Sequence, residues 1–256
     1  MLEIDKLRKA DLFSGTAILL LGLFVVGQAT QMPMKDSYAG VQNVWYVSPA
    51  LFPLFIGSML ALLGLLLIKA AFKEVGSAGL LSVLKYLSSS DFASFLKLPG
   101  TIRFYGITLN LLIFVFLLIP RVDFFLASIL FLLIFFFMFY CGSDEDLLSL
   151  IYLMIASTLL FSLVVLAPWA PSLATLVPFL SDILIIIYIT GLILYYFIKL
   201  KGSPELMPKF RLSLIIAFAA PLTIGIIFKY FLLVPMPFEG LVVSLLDAIW
   251  YADIWS

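Results

Sequence analysis

Ser48-Pro49-Ala50-Leu51-Phe52-Pro53 opens an apolar run that continues to Ile68 and decides the class of this chain. No charged residue occurs between Asp36 and Lys69, so the run exceeds the roughly 20 apolar residues that cross a hydrocarbon core about 30 Å thick. Proline is tolerated where a helix begins, because the first N–H groups have no partner inside the helix and the fixed φ already suits it. The stretch is therefore read as a membrane-spanning helix with both prolines in its first turn, a rigid point from which the rest of the chain is laid out.

The whole sequence agrees. Of its 256 residues, 64% are hydrophobic and only 12% charged, against about a quarter charged in a soluble domain. A closed β-barrel would show short alternating segments, whereas these apolar runs are continuous, so the backbone must be satisfied within helices. The fold class is all-α: a single polytopic membrane domain over 1–256.

Fifteen basic and fifteen acidic residues cancel, and no block of like charge offers a surface to nucleic acid. With one cysteine, Cys141, and no histidine, no internal disulfide forms and the usual nitrogen and sulfur ligand sets for metals are missing. No cofactor is expected. The commonest general base at neutral pH is missing too.

Charge-free windows at 12–34, 37–68, 104–120, 124–143, 147–181, 183–198 and 212–228 give seven spans, near 13–31, 49–70, 104–120, 124–142, 147–167, 180–199 and 212–233. The first follows Lys6, Arg8 and Lys9 and is longer than a signal-peptide core, so it is read as a retained span. Lys and Arg in alternate loops set the orientation. One side collects Lys6, Arg8, Lys9, Lys69, Lys73, Lys85, Lys97, Arg103, Lys199, Lys201, Lys209 and Arg211, the other only Lys35, Arg121 and Lys229. The positive-inside rule then places the N-terminus in the cytoplasm and, after seven spans, the C-terminus outside. Trp45, Trp169, Trp250 and Trp255 all fall on the outer side, where indole rings favour the interface.

Between Lys73 and Pro99 the chain is too polar to span. Leu80, Val83, Leu84 and Leu87 repeat at helical spacing, and Ser88-Ser89-Ser90-Asp91 reads as a cap before Phe92, Phe95 and Leu96. Two short interfacial helices are expected near 78–98. Pro120-Arg121-Val122-Asp123 is a tight turn, Ser143-Asp144-Glu145-Asp146 an acidic capped helix start, and Pro168 through Pro178 a rigid apolar loop. Pro221 should kink the last span.

The charge-free windows place no Asp, Glu, Lys or Arg at mid-membrane, where such groups persist mainly for function. Asn110, Thr158, Thr190 and Thr223 are the main polar residues there and are read as packing contacts. Asp182 and Lys229, close to span ends, mark the interface or pair with each other. Gly15, Gly22 and Gly27 on the first span and Gly57 and Gly64 on the second allow close approach, so a tight antiparallel hairpin is expected. The dense phenylalanines of 131–139, among 25 in the chain, suit either lipid or a larger membrane partner.

Four stretches, in order, carry a resemblance. Asp11-Leu12-Phe13-Ser14-Gly15, Ser48-Pro49-Ala50-Leu51-Phe52-Pro53, Phe124-Phe125-Leu126-Ala127-Ser128 and Leu233-Val234-Pro235-Met236-Pro237-Phe238-Glu239-Gly240 resemble motifs of the small membrane subunit of tripartite tricarboxylate transporters, the TctB family. The last stretch has one residue more before its glycine than the family's closing turn. The likeness covers about 10–72, 104–142 and 211–240; residues 147–200 look like an insertion relative to shorter members. The resemblance implies a non-catalytic bacterial inner-membrane subunit whose partners are a large multi-span transporter subunit, a periplasmic solute-binding protein and the lipid bilayer. On that reading Ser48, Pro49, Phe52, Pro53, Phe124, Phe125, Pro235 and Pro237 are the candidate structural or partner-contact positions. The rival readings are the small subunit of a tripartite ATP-independent periplasmic transporter, an integral-membrane enzyme, and a stand-alone channel.

Overall fold

A computed structural model describes residues 2–32, 34, 48–87 and 89–252. Lys35, Trp45 and Trp255, and the side chains of Leu80, Val83, Leu84 and Leu87, lie outside the described residues. Every regular element among those described is helical, and seven helices are long and apolar enough to cross a membrane. Backbone contacts divide the chain into two units, Met1–Phe95 and Leu96–Ser256.

The first unit is built on α1 (Leu2–Ala29) and α2 (Leu51–Leu87), which pack as an antiparallel pair. Glycine sets how close they come. A β-carbon on Gly22 would sit 2.4 Å from Ala61 N, and one on Gly64 would sit 2.6 Å from Leu19 N, so at these points backbone meets backbone. Gly15 and Gly57 face the same seam. The expected hairpin is present, but Gly27 takes no part in it, having nothing within 4 Å of its β-position.

Two expectations for this unit are corrected. Pro49 precedes the helix instead of lying in its first turn. Ser48 and Ala50 form the turn, with Ala50 N donating to Ser48 Oγ at 3.1 Å and Leu51 N to Ser48 O at 3.1 Å, and only Pro53 stands within the helix. The segment expected as a first interfacial helix is instead the continuation of α2, which runs unbroken to Leu87. Isolated Gly76 and Gly79 cost only about 1 kcal/mol each in a helix, and no proline intervenes to end it. The serine cap does form: Phe92 N donates to Ser89 Oγ at 3.3 Å, starting α3 (Ser90–Leu96).

The second unit holds five spans that alternate in direction. They are α4 (Pro99–Leu112), α5 (Phe124–Phe136), α6 (Leu147–Val165), α8 (Leu180–Leu200) and α9 (Leu206–Ile226), with short α7 (Ala170–Leu176) between α6 and α8 and α10 (Leu241–Trp250) closing the chain. The loop expected at 168–178 is thus partly helical. α5 is central: 56% of its span is buried, against 17–28% for the other spans of this unit. It touches α4, α8 and α9, while α6 bridges α4 and α8. Phe137, at its far end, stacks on Tyr196 of α8 (ring centroids 4.1 Å) and Phe210 of α9 (5.8 Å). Spans α4, α5 and α9 end in wider π-type turns, Ile113–Leu118, Phe137–Cys141 and Ile227–Phe231. Pro221 lies inside α9, and the helix continues past it to Ile226.

Asp144, Glu145 and Asp146 form a single 3₁₀ turn before α6, and the N-cap of α6 makes no side-chain capping bond. The Asp146 carboxylate does bond back to Ser143 at the start of the turn, and the acids also reach sideways. Arg103 of α4 donates to Asp144 Oδ1 at 2.6 Å and to Met138 O at 3.0 Å, and Lys199 of α8 pairs with Asp146. The acids at this helix start therefore also tie three helices together at the Arg103 end of the unit.

Candidate functional site

At the opposite end of the second unit, two carboxylates are fully buried side by side. Asp123 is the N-cap of α5, accepting from Phe125 N through Oδ1 at 2.9 Å. Asp182 lies in the first turn of α8 and accepts from Asp123 N through Oδ1 at 2.8 Å. Their remaining oxygens turn to α10. Asp123 Oδ2 accepts from Gly240 N at 3.1 Å and Val243 N at 2.9 Å, and Asp182 Oδ2 accepts from Leu241 N at 2.7 Å.

The geometry follows from what a helix start lacks. The first N–H groups of α10 have no partner in the helix, and its own N-cap is Gly240, which has no side chain to supply one. Two carboxylates from α5 and α8 supply the acceptors in its place. Gly240 is required by space: a β-carbon there would lie 2.2 Å from Asp182 Oδ2 and 2.8 Å from Asp123 Cβ. Burial pushes the Asp123 carboxyl above its ordinary range; the N–H groups of Val243, Phe125 and Gly240 pull it down, and the neighbouring Asp182 charge pushes it up.

Lys229 is not the partner of Asp182, so the pairing weighed from sequence is excluded; Asp182 is fully buried in the first turn of α8. Lys229 bonds Glu239 at 2.8 Å and approaches Asp247 of α10 at 3.4 Å. Tyr230 also donates to Asp247, at 2.7 Å, and its ring stacks on Trp250 (centroids 4.8 Å). The turn between α9 and α10 is thus held on one flank by the buried acids and on the other by a partly exposed cation. Leu233 in this turn takes the left-handed backbone region, φ 54°.

The sequence-selected positions fall into two groups. Ser48, Pro49, Phe52 and Pro53 belong to the first unit, where Ser48 is buried and the Phe52 ring is 72% exposed. In the second unit, Phe124 and Phe125 follow the Asp123 cap directly. Phe125 is completely buried, and its ring fills the space that a side chain on Gly225 of α9 would need, 2.4 Å from that β-position. Pro235 and Pro237 are exposed on the turn ending at Gly240. Phe124, Phe125, Pro235 and Pro237 are thereby brought to one end, joined through Asp123. The residues that do the joining, Asp123, Asp182, Gly225 and Gly240, were not selected. An aspartate immediately before a phenylalanine-rich span is an N-cap pattern that marks Asp123.

Of the mid-span polar residues, Asn110 makes a packing contact between helices, donating from Nδ2 to Phe131 O of α5 at 3.1 Å. Thr158 and Thr190 bond back to Met154 O (2.7 Å) and Ile186 O (2.8 Å) in their own helices, and Thr223 is exposed. Asn110, Ser157, Thr158 and Tyr188 also line an otherwise apolar cavity of about 220 Å³ among α4, α5, α6 and α8. The Tyr188 hydroxyl is buried there beside Ser157, with no hydrogen bond of good geometry among the described residues.

Among the described residues, no three His, Cys, Asp or Glu are placed to hold a metal ion. Chemically, the buried pair is suited to bind backbone N–H groups and fix the closing turn. No family model matches the chain, nor does any curated protein or solved structure.

Proposed function

We propose that this chain is the small, non-catalytic membrane subunit of a tripartite tricarboxylate-type secondary transporter, lying in a bacterial inner membrane with its N-terminus cytoplasmic and C-terminus periplasmic. It supports a large transport subunit in ion-gradient-driven, binding-protein-dependent uptake of carboxylates. One observation carries the reading. Two of the stretches on which the resemblance rests, Phe124–Ser128 and Leu233–Gly240, meet through buried hydrogen bonds between Asp123 and the N–H groups of Phe125, Gly240 and Val243. Motifs more than a hundred residues apart thus form one rigid end.

That end presents an apolar rim, with Phe231, Leu232, Leu233 and Val234 all exposed beside the fixed turn. A rigid rim of this kind suits a scaffold, since little ordering entropy is lost when a partner docks on it.

The test is capture of the tagged chain from its native membrane in mild detergent, with every co-purifying protein identified. A many-span membrane protein in fixed ratio, joined by a solute-binding protein when a carboxylate substrate is added, is the expected result. A chain that purifies alone, stable and monodisperse, would overturn the reading.

A further inference from the structure

At the Arg103 end of the second unit, the basic residues sort by what they touch. Arg103 is bound to Asp144 and Met138 O, Lys199 to Asp146, and Lys209 Nζ lies over the Tyr140 ring, 5.7 Å from its centre. Lys201 and Arg211 make no ion pair or ring contact among the described residues, although Glu205 lies between them in sequence. Both exposed cations line one cleft of about 580 Å³, together with Ser203, Met207, Leu212 and Ile215.

The cleft changes character along its length. Its cations stand at the loop and the second turn of α9, and immediately beyond Arg211 the helix becomes charge-free. Ile215 lies one turn after Arg211 on the same face, and Leu212 and Ile215 are both exposed. Two unneutralised cations therefore sit directly above an apolar strip belonging to a membrane-length helix.

We propose that this cleft is a binding site for an anionic phospholipid, its phosphate held between the Lys201 ammonium and the Arg211 guanidinium and an acyl chain laid along Leu212 and Ile215. A guanidinium offers paired N–H donors to phosphate oxygens, and basic pockets between membrane helices are recognised sites for acidic head groups. A zwitterionic lipid brings its own cation against Lys201 and Arg211. A free phosphate makes no use of the apolar strip.

The test uses the full chain, purified and delipidated in detergent, with phosphatidylglycerol or phosphatidylcholine added at equal concentration and bound lipid counted by native mass spectrometry. Phosphatidylglycerol should be preferred by about thirtyfold, the effect of two basic contacts near a head group. The preference should vanish in the Lys201→Gln/Arg211→Gln variant and persist in Lys97→Gln, which removes an exposed lysine outside the cleft. Millimolar inorganic phosphate should not displace the lipid. Equal binding of the two lipids, a preference that survives the double substitution, or full displacement by inorganic phosphate would overturn the proposal.

Discussion

The backbone N–H of Asp123 donates to Oδ1 of Asp182 at 2.8 Å, joining the starts of α5 and α8 across 59 positions of sequence. Two carboxylates are buried together here, and the nearby lysine, Lys229, is bound to Glu239 and Asp247 instead. What offsets their charge is helix geometry. The N-terminal ends of α5, α8 and α10 all converge on the pair, and each is equivalent to roughly half a positive charge. The positive ends of three helices thus face the two carboxylates, and five N–H donors complete the arrangement.

Removing the Asp123 carboxylate should be strongly destabilising. Asp123→Ala leaves the buried N–H groups of Phe125, Gly240 and Val243 without an acceptor, a loss on the order of 3 kcal/mol. Gly240→Ala should cost a similar amount by forcing the carboxylates away from α10. Lys229→Ala, which breaks a pair whose Glu239 side is 47% exposed, should cost about 1 kcal/mol or less. The buried thiol of Cys141, the single cysteine, reports unfolding of this unit when a thiol-reactive dye is present during heating. Equal melting shifts for Asp123→Ala and Lys229→Ala would contradict this account of the joint.

The same carboxylate sets a pH dependence. Its folded-state pKa lies above the unfolded value of 3.8, chiefly because of burial. The protonated form is thus favoured by folding, and this group's contribution is most favourable below 3.8 and is lost as pH rises through the folded pKa. Acidification from neutral should therefore raise the melting temperature of the native chain relative to Asp123→Asn, measured side by side. A difference between the two that does not change with pH would refute the assignment.

In the first unit, Gly22→Leu should splay the hairpin, whereas Gly27→Leu should leave it intact, because only Gly22 abuts opposing backbone. Spin labels at Leu20 and Leu62, both exposed, in a Cys141→Ser background would report the separation of α1 and α2. The distance should lengthen and broaden for the first variant alone.

The spans were legible because a membrane imposes a length on an uncharged run, and the glycines of the first two spans, Gly15, Gly22, Gly57 and Gly64, marked a seam. Gly27 misled because small residues mark a possible contact face without fixing where the partner helix diverges. The end of α2 was misplaced because polarity alone does not stop a helix, and only Ser89 supplies the cap that restarts the chain as α3. The buried acids were the largest miss. Asp182 read as a residue at the water boundary because the acceptors needed by Gly240, Leu241 and Val243 come from partners 59 to 120 positions away, a distance no local pattern spans.

The cavity beside Tyr188 supports a prediction of the opposite sign. A buried hydroxyl without a partner forfeits its hydrogen bonds to water and gains none in the folded chain, which costs about 1–3 kcal/mol. Tyr188→Phe removes the hydroxyl and keeps the ring that packs among Leu184, Ile185 and Phe161 around the cavity. Stability should therefore stay level or rise by about 1 kcal/mol, read by the same thiol-dye melt. Ser157 and Thr158 both spend their hydroxyl protons on Met154 O, so neither donates to the phenol, and the bond open to it inside the protein is its own donation to Ser157 Oγ. A clear loss of stability in Tyr188→Phe would mean that the hydroxyl is bonded in the membrane, to Ser157 Oγ or to water or lipid within the 220 Å³ space.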